Sequence, residues 1–88
     1  MRRSRFETYL YVLKVLTNNG PSKITHLAYN SNISSDFLEK YLDFLIAQRA
    51  VEERTIYSES SVFAITQHGI NLLKYFWQPE LPLIEKEK

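Results

Sequence analysis

Two short helical patterns separated by a small polar turn, between Ser22 and Gln48, constrain this chain more than any other feature. Ser22 is a natural N-cap for a helix over residues 23–29, with Ile24, Leu27 and Ala28 turned inward. Asn30, Ser31 and Asn32 then form a turn, because short polar side chains bond nearby backbone and Asn tolerates left-handed geometry. Ile33 enters the core as the chain reverses, and Ser34 or Ser35 caps a further helix running to about Gln48. In that helix Leu38, Tyr41, Leu42 and Leu45 recur at the spacing of one buried face. Ser35, Asp36, Glu39, Lys40 and Asp43 occupy the opposite face.

The flanking segments complete the fold. Upstream, residues 5–17 read as a helix with Phe6, Leu10, Leu13 and Leu16 on one stripe, stopped by Asn18-Asn19-Gly20-Pro21. Tyr9, Val12 and Val15 add apolar width beyond what a monomeric surface helix needs. Downstream, Val51, Thr55, Ile56 and Tyr57 make residues 50–57 a strand, residues 58–61 a polar turn and residues 62–65 a returning strand. Thr66 caps a last helix through about Trp77, and Pro79 and Pro82 end regular structure. The order helix, helix, turn, helix, strand, strand, helix predicts an α+β, mainly α fold. It is a winged helix-turn-helix, with a three-helix core, a two-stranded wing hairpin and a C-terminal fourth helix.

A chain of 88 residues makes one domain. Residues 6–77 are its expected extent, preceded by a basic arm over 1–5 and followed by a tail over 78–88. The absence of cysteine excludes a disulfide framework, a thiolate zinc site and a cysteine nucleophile. No apolar run approaches the ~20 residues of a membrane span, and the basic start lacks a clean apolar region after it, so a cytoplasmic location is expected. His26 and His68 fall in separate elements, which argues against a metal site. Gly20 and Gly69 are the only glycines and cannot build a dinucleotide loop. No cofactor or small-molecule ligand is implied, and the expectation is that the protein is not an enzyme.

Three ordered blocks carry a family likeness. Thr25-His26-Leu27-Ala28-Tyr29-Asn30-Ser31-Asn32-Ile33-Ser34 is similar to a Thr-Arg-Ile-Met-Tyr-x-Ala-Asn-Leu-Ser run. Lys40-Tyr41-Leu42-Asp43-Phe44-Leu45 matches a Lys-Tyr-Leu-x-x-Leu helix. The stretch from Phe63 to Leu73 matches an aromatic-x-Ile-Thr-x-x-Gly-x-x-Leu-Leu segment through Ile65, Thr66, Gly69 and Leu72. Across residues 6–76 the chain thus resembles the small archaeal winged-helix transcriptional regulators and nucleoid proteins. The resemblance implies binding to double-stranded DNA, often as a homodimer through the first and last helices. Two departures stand out: the family's Arg in the second helix is His26 here, and the sequence ends soon after the fourth helix, without the long coiled-coil extension of some members.

In such a fold the third helix lies in the major groove and the second crosses the phosphate backbone. Ser34, Ser35, Phe37 and Lys40 are then nearest to bases or flanking phosphates, while Lys23, Thr25 and His26 are placed for phosphates. Arg2, Arg3 and Arg5 can neutralise further phosphates from the arm, and Arg54 is the one wing cation, beside Glu52, Glu53 and Glu59. Charge is divided unevenly, since Asp36, Glu39 and Asp43 face outward on the third helix, where a polyanion must approach. That acidity sustains an alternative, a protein–protein interaction module using this face without DNA. For self-association the apolar width of the first and last helices nominates Tyr9, Val12, Leu73, Phe76 and Trp77 as a homodimer interface. Otherwise Trp77 folds back on its own domain under Leu81, Leu83 and Ile84.

Overall fold

The computed structural model describes residues 4–57 and 60–77. Its elements are α1 (Arg5–Asn19), α2 (Ile24–Ser31), α3 (Ser35–Ala47), β1 (Val51–Tyr57), β2 (Ser60–Ile65) and α4 (Gln67–Phe76). The two strands pair antiparallel, with Val51 opposite Ile65 and Arg54 opposite Val62, and a bulge falls between Thr55 and Tyr57. Four helices and one hairpin in this order are the winged helix-turn-helix that the periodicities predict. Among the described residues no helix is long and apolar enough to cross a membrane.

Local chemistry sets the ends of α1. Ser4 and Glu7 form a reciprocal capping box, so Arg5 belongs to the first helical turn rather than to an arm. The helix passes the expected stop at Thr17 and ends at Gly20, whose φ of +77° supplies the reversal and whose N–H donates to the Leu16 carbonyl. Because α1 packs against α2, α4 and β2, it is enclosed on several sides. Its extra apolar width is therefore used inside the monomer: Val12 is 0% exposed and Val15 is buried with Leu13 and Leu16.

The link to α2 corrects the capping expectation at Ser22. Ser22 exchanges two backbone hydrogen bonds with Phe63, at 3.0 and 2.8 Å, adding a one-residue third rung to the hairpin. Its hydroxyl donates to the Gly20 carbonyl at 2.8 Å. With Ser22 held extended and buried, the helix cannot start until Ile24; Lys23 occupies the cap position and supplies no side-chain bond. At the other end Asn30 and Ser31 remain helical, and the turn proper is Asn32-Ile33-Ser34, with Asn32 in the left-handed conformation. Buried Ser31 satisfies its hydroxyl by donating to the Leu27 carbonyl.

Beyond α3 the chain turns through Arg49, a second left-handed residue with φ of +65°. The start of α4 holds this turn. Thr66 Oγ1 accepts from the Gly69 N–H at 3.0 Å and donates to the Arg49 carbonyl at 2.6 Å, while its own N–H donates to the Ala50 carbonyl. Gly69 is a point of close approach, where the Ala50 backbone and Ile65 leave no room for a Cβ. Thr66→Ala removes a helix cap and a tertiary hydrogen bond together. The expected cost is about 1 kcal/mol, read by thermal denaturation as a midpoint lower by about 4–8 °C.

Candidate nucleic-acid interface

The helix-turn-helix presents one continuous exposed surface because its two apolar stripes point the other way. Leu27 of α2 and Leu38, Leu42 and Leu45 of α3 are buried in the common core, with Leu13 and Leu16 of α1. Lys23, Thr25 and His26 on α2, and Ser34, Ser35, Phe37 and Lys40 on α3, are all exposed. Every residue assigned from sequence to these two helices is thus accessible to a ligand.

The two helix starts differ in their electrostatics. The first turn of α2 has no acidic residue and no side-chain cap, so its outward amides and the positive end of the helix dipole are open to an anion. The first turn of α3 carries Asp36, and Ser34 Oγ already accepts from the Phe37 N–H at 3.4 Å. A phosphate is therefore received better at α2, beside Lys23 and His26, than at the tip of α3.

On α3 the outermost positions are Asp36, Lys40 and Asp43, with Glu39 on one flank and Phe37 and Phe44 on the other. The Lys40 ammonium sits 5.9 Å from the Phe37 ring centroid. Phe44 stacks on Tyr9 of α1 at 4.5 Å, and Tyr41 meets the same ring edge-on. Thr8, Asn32, Ile33, Ser34, Phe37 and Tyr41 line one shallow open groove. That groove sets the start of α1 beside the start of α3, so Arg5 lies one helical turn from the groove. Arg2 and Arg3 lie outside the described residues.

Arg54 is engaged elsewhere. On β1 it bonds Glu52 at 2.6 Å, both side chains about half exposed, with Glu53 between them in sequence. The described wing thus brings no unneutralised cation. One residue escaped the sequence reading: Tyr29 is 86% exposed on α2, one turn beyond Thr25 and on the same side. Its hydroxyl is a donor of the kind that meets phosphate oxygens. The signal was there, since Tyr29 falls off the Ile24, Leu27 and Ala28 stripe.

The five residues nominated for self-association divide. Val12 at 0% and Leu73 at 7% exposure are core residues with no surface left for a partner. Trp77 is packed against the core, with the Lys14 ammonium 5.7 Å from its ring centroid. It therefore folds back on its own domain; the residues once expected to cover it, Leu81, Leu83 and Ile84, lie outside the described residues. Tyr9 is half-buried against α3. Phe76 remains exposed and meets exposed Phe6 of α1 edge-on at 5.0 Å, with Tyr75 beside it.

A winged helix-turn-helix family model matches residues 2–79. No curated protein matches the chain. Among solved structures, a MarR family transcriptional regulator from Silicibacter pomeroyi superposes with a TM-score of 0.74 at 21% identity, covering 80% of this chain and 48% of that one. RV1404 from Mycobacterium tuberculosis gives 0.72 at 18% identity, covering 75% and 46%. ZitR from Lactococcus lactis, crystallised in complex with DNA, gives 0.68 at 18% identity, covering 84% and 50%. The chain spans about half the length of these structures, and at such identities the likeness establishes the fold.

Proposed function

Because the chain belongs to the winged helix-turn-helix family, we propose that it is a cytoplasmic, non-enzymatic transcriptional regulator that binds double-stranded DNA, of the small archaeal kind its motifs resemble. The observation that carries this reading is the α2–α3 surface: an uncapped α2 start with Lys23 and His26 beside an exposed α3 bearing Ser35 and Lys40. In this reading α3 enters the major groove, and Lys23, Thr25, His26 and Tyr29 hold the phosphate backbone. Arg5, with Arg2 and Arg3, adds phosphate contacts from the α1 side. Arg54, already paired with Glu52, contributes little. The structural likeness to ZitR, itself crystallised with DNA, supports the same reading. A labelled mixed-sequence duplex should gain anisotropy on titration with the protein at low salt, and Arg2→Ala, Arg3→Ala and Arg5→Ala together, which leave the Ser4 cap in place, should weaken that binding.

A homodimer would set two α3 helices against half-sites about one helical turn, ~34 Å, apart. Its surface is the exposed aromatic corner of Phe6, Tyr75 and Phe76, where α1 and α4 meet. Phe6→Glu combined with Phe76→Glu should convert the dimer to monomer on a sizing column, with the circular dichroism spectrum retained. An unchanged elution volume removes this interface from the account.

One observation favours a second reading. Asp36, Glu39 and Asp43 are all exposed on α3, a surface suited to a basic protein partner. Under that reading duplex binding is absent, and reversing these three charges disrupts an assembly instead.

A further inference from the structure

Phe37 is the anomaly of the α2–α3 surface. It stands in the first turn of α3 with its backbone fixed by Ser34, yet its side chain is 63% exposed. Phe44, on the same flank, is stacked on Tyr9, and Tyr41 is half-buried against that ring. Phe37 borders the shallow groove with Ile33 and Tyr41, and the Lys40 ammonium lies 5.9 Å from its ring centroid. Its neighbours Ser34, Ser35 and Lys40 are hydrogen-bonding groups at the tip of the helix. A large apolar ring among donors and acceptors fits a surface that is itself polar except at one point.

The major-groove edge of duplex DNA is such a surface. Each base pair presents donors and acceptors there, and thymine alone adds an apolar group, its C5 methyl. Resting on the DNA-binding reading, we propose that Phe37 is a specificity-determining residue that selects thymine through contact with that methyl. The charge pattern strengthens the assignment. Lys40 is flanked by Asp36 and Asp43, one turn to either side, so it is the single cation that the outer face of α3 offers a phosphate. The rest of the contribution of α3 to binding lies in base-edge contacts, and Phe37 supplies the apolar one.

The test uses the full chain and sites it enriches from a random duplex pool. The enriched sites should share a thymine at one position of each half-site. Resynthesis with deoxyuridine at that position of one half-site removes one methyl and leaves base pairing intact. Wild-type affinity should fall about fourfold, the effect of leaving one buried methyl group unburied. Phe37→Ala should bind thymine and deoxyuridine duplexes alike, and because Phe37 is exposed the variant should keep the wild-type circular dichroism spectrum. Equal wild-type affinity for both duplexes at every thymine overturns the assignment while leaving DNA binding intact. Retention of the fourfold preference in Phe37→Ala overturns it too. No enrichment of any duplex at low salt removes the DNA-binding reading itself, and this assignment with it.

Discussion

Gly69→Ala is expected to lower the thermal unfolding midpoint by about 15 °C, opposite in sign to the usual effect of such a change within a helix. Alanine ordinarily gains about 1 kcal/mol over glycine in a helix interior. Here a Cβ would fall inside the van der Waals envelope of the Ala50 carbonyl oxygen and 2.7 Å from Ile65 Cγ1. The carbonyl is backbone and already accepts the Thr66 N–H, so no rotamer change relieves the clash. Overpacking usually costs about 1–3 kcal/mol; against fixed backbone it exceeds that range, at about 4 kcal/mol, leaving a net loss of about 3 kcal/mol, or about 15 °C for a domain of this size. The same contact matters to function, because it is where α4 pins the turn between α3 and β1 and so fixes the base of the wing. Scanning calorimetry of Gly69→Ala decides it; a midpoint at or above wild type would mean that α4 does not approach Ala50 this closely.

The second large effect is on DNA affinity. Lys23→Glu combined with Lys40→Glu should weaken binding to duplex DNA about 100-fold at moderate salt, taking about 1.5 kcal/mol for each lost bond to a charged group. Both side chains are exposed and neither enters the core, so the fold should be retained, with the melting midpoint lowered only slightly by a new carboxylate beside Asp36 and Asp43. Lys23 stands at the uncapped start of α2 and Lys40 at the second turn of α3. Together they sample both helices of the surface. Unaltered affinity in the folded double variant would place any nucleic-acid contact elsewhere on the molecule.

The element order was legible because each element carries its own period. Leu38, Leu42 and Leu45 mark one helical face, and Val62 and Ala64 alternate on one strand face. Caps drawn from immediate neighbours were equally readable, with Ser34 and Thr66 each accepting an N–H three residues on. What escaped depends on contacts distant in sequence. Ser22 has the chemistry of an N-cap, but pairing with Phe63 holds it in an extended rung, and no local pattern reveals that partner. Val12, Val15 and Leu73 looked like surplus apolar surface because a single helix shows only its own faces; packing α2, α4 and β2 around α1 consumes them. The need for glycine at position 69 comes from the Ala50 backbone, which approaches it from nineteen residues away in sequence. In the candidate site, residue types and exposed positions were readable from the outset. Tyr29 carries no charge that marks it as a phosphate partner, and the Arg54–Glu52 pairing depends on how β1 folds.

The central claim is that this surface binds duplex DNA through its phosphates, and the affinity of the wild-type protein for a labelled mixed-sequence duplex across salt concentrations tests it most directly. The account predicts that log affinity falls linearly with log salt with a slope of about −3 to −5, at ~0.9 for each phosphate met by Lys23, Lys40, Arg5 and the two preceding arginines. A folded protein that gives no anisotropy change at low salt would contradict it and make the acidic face of α3 the working surface.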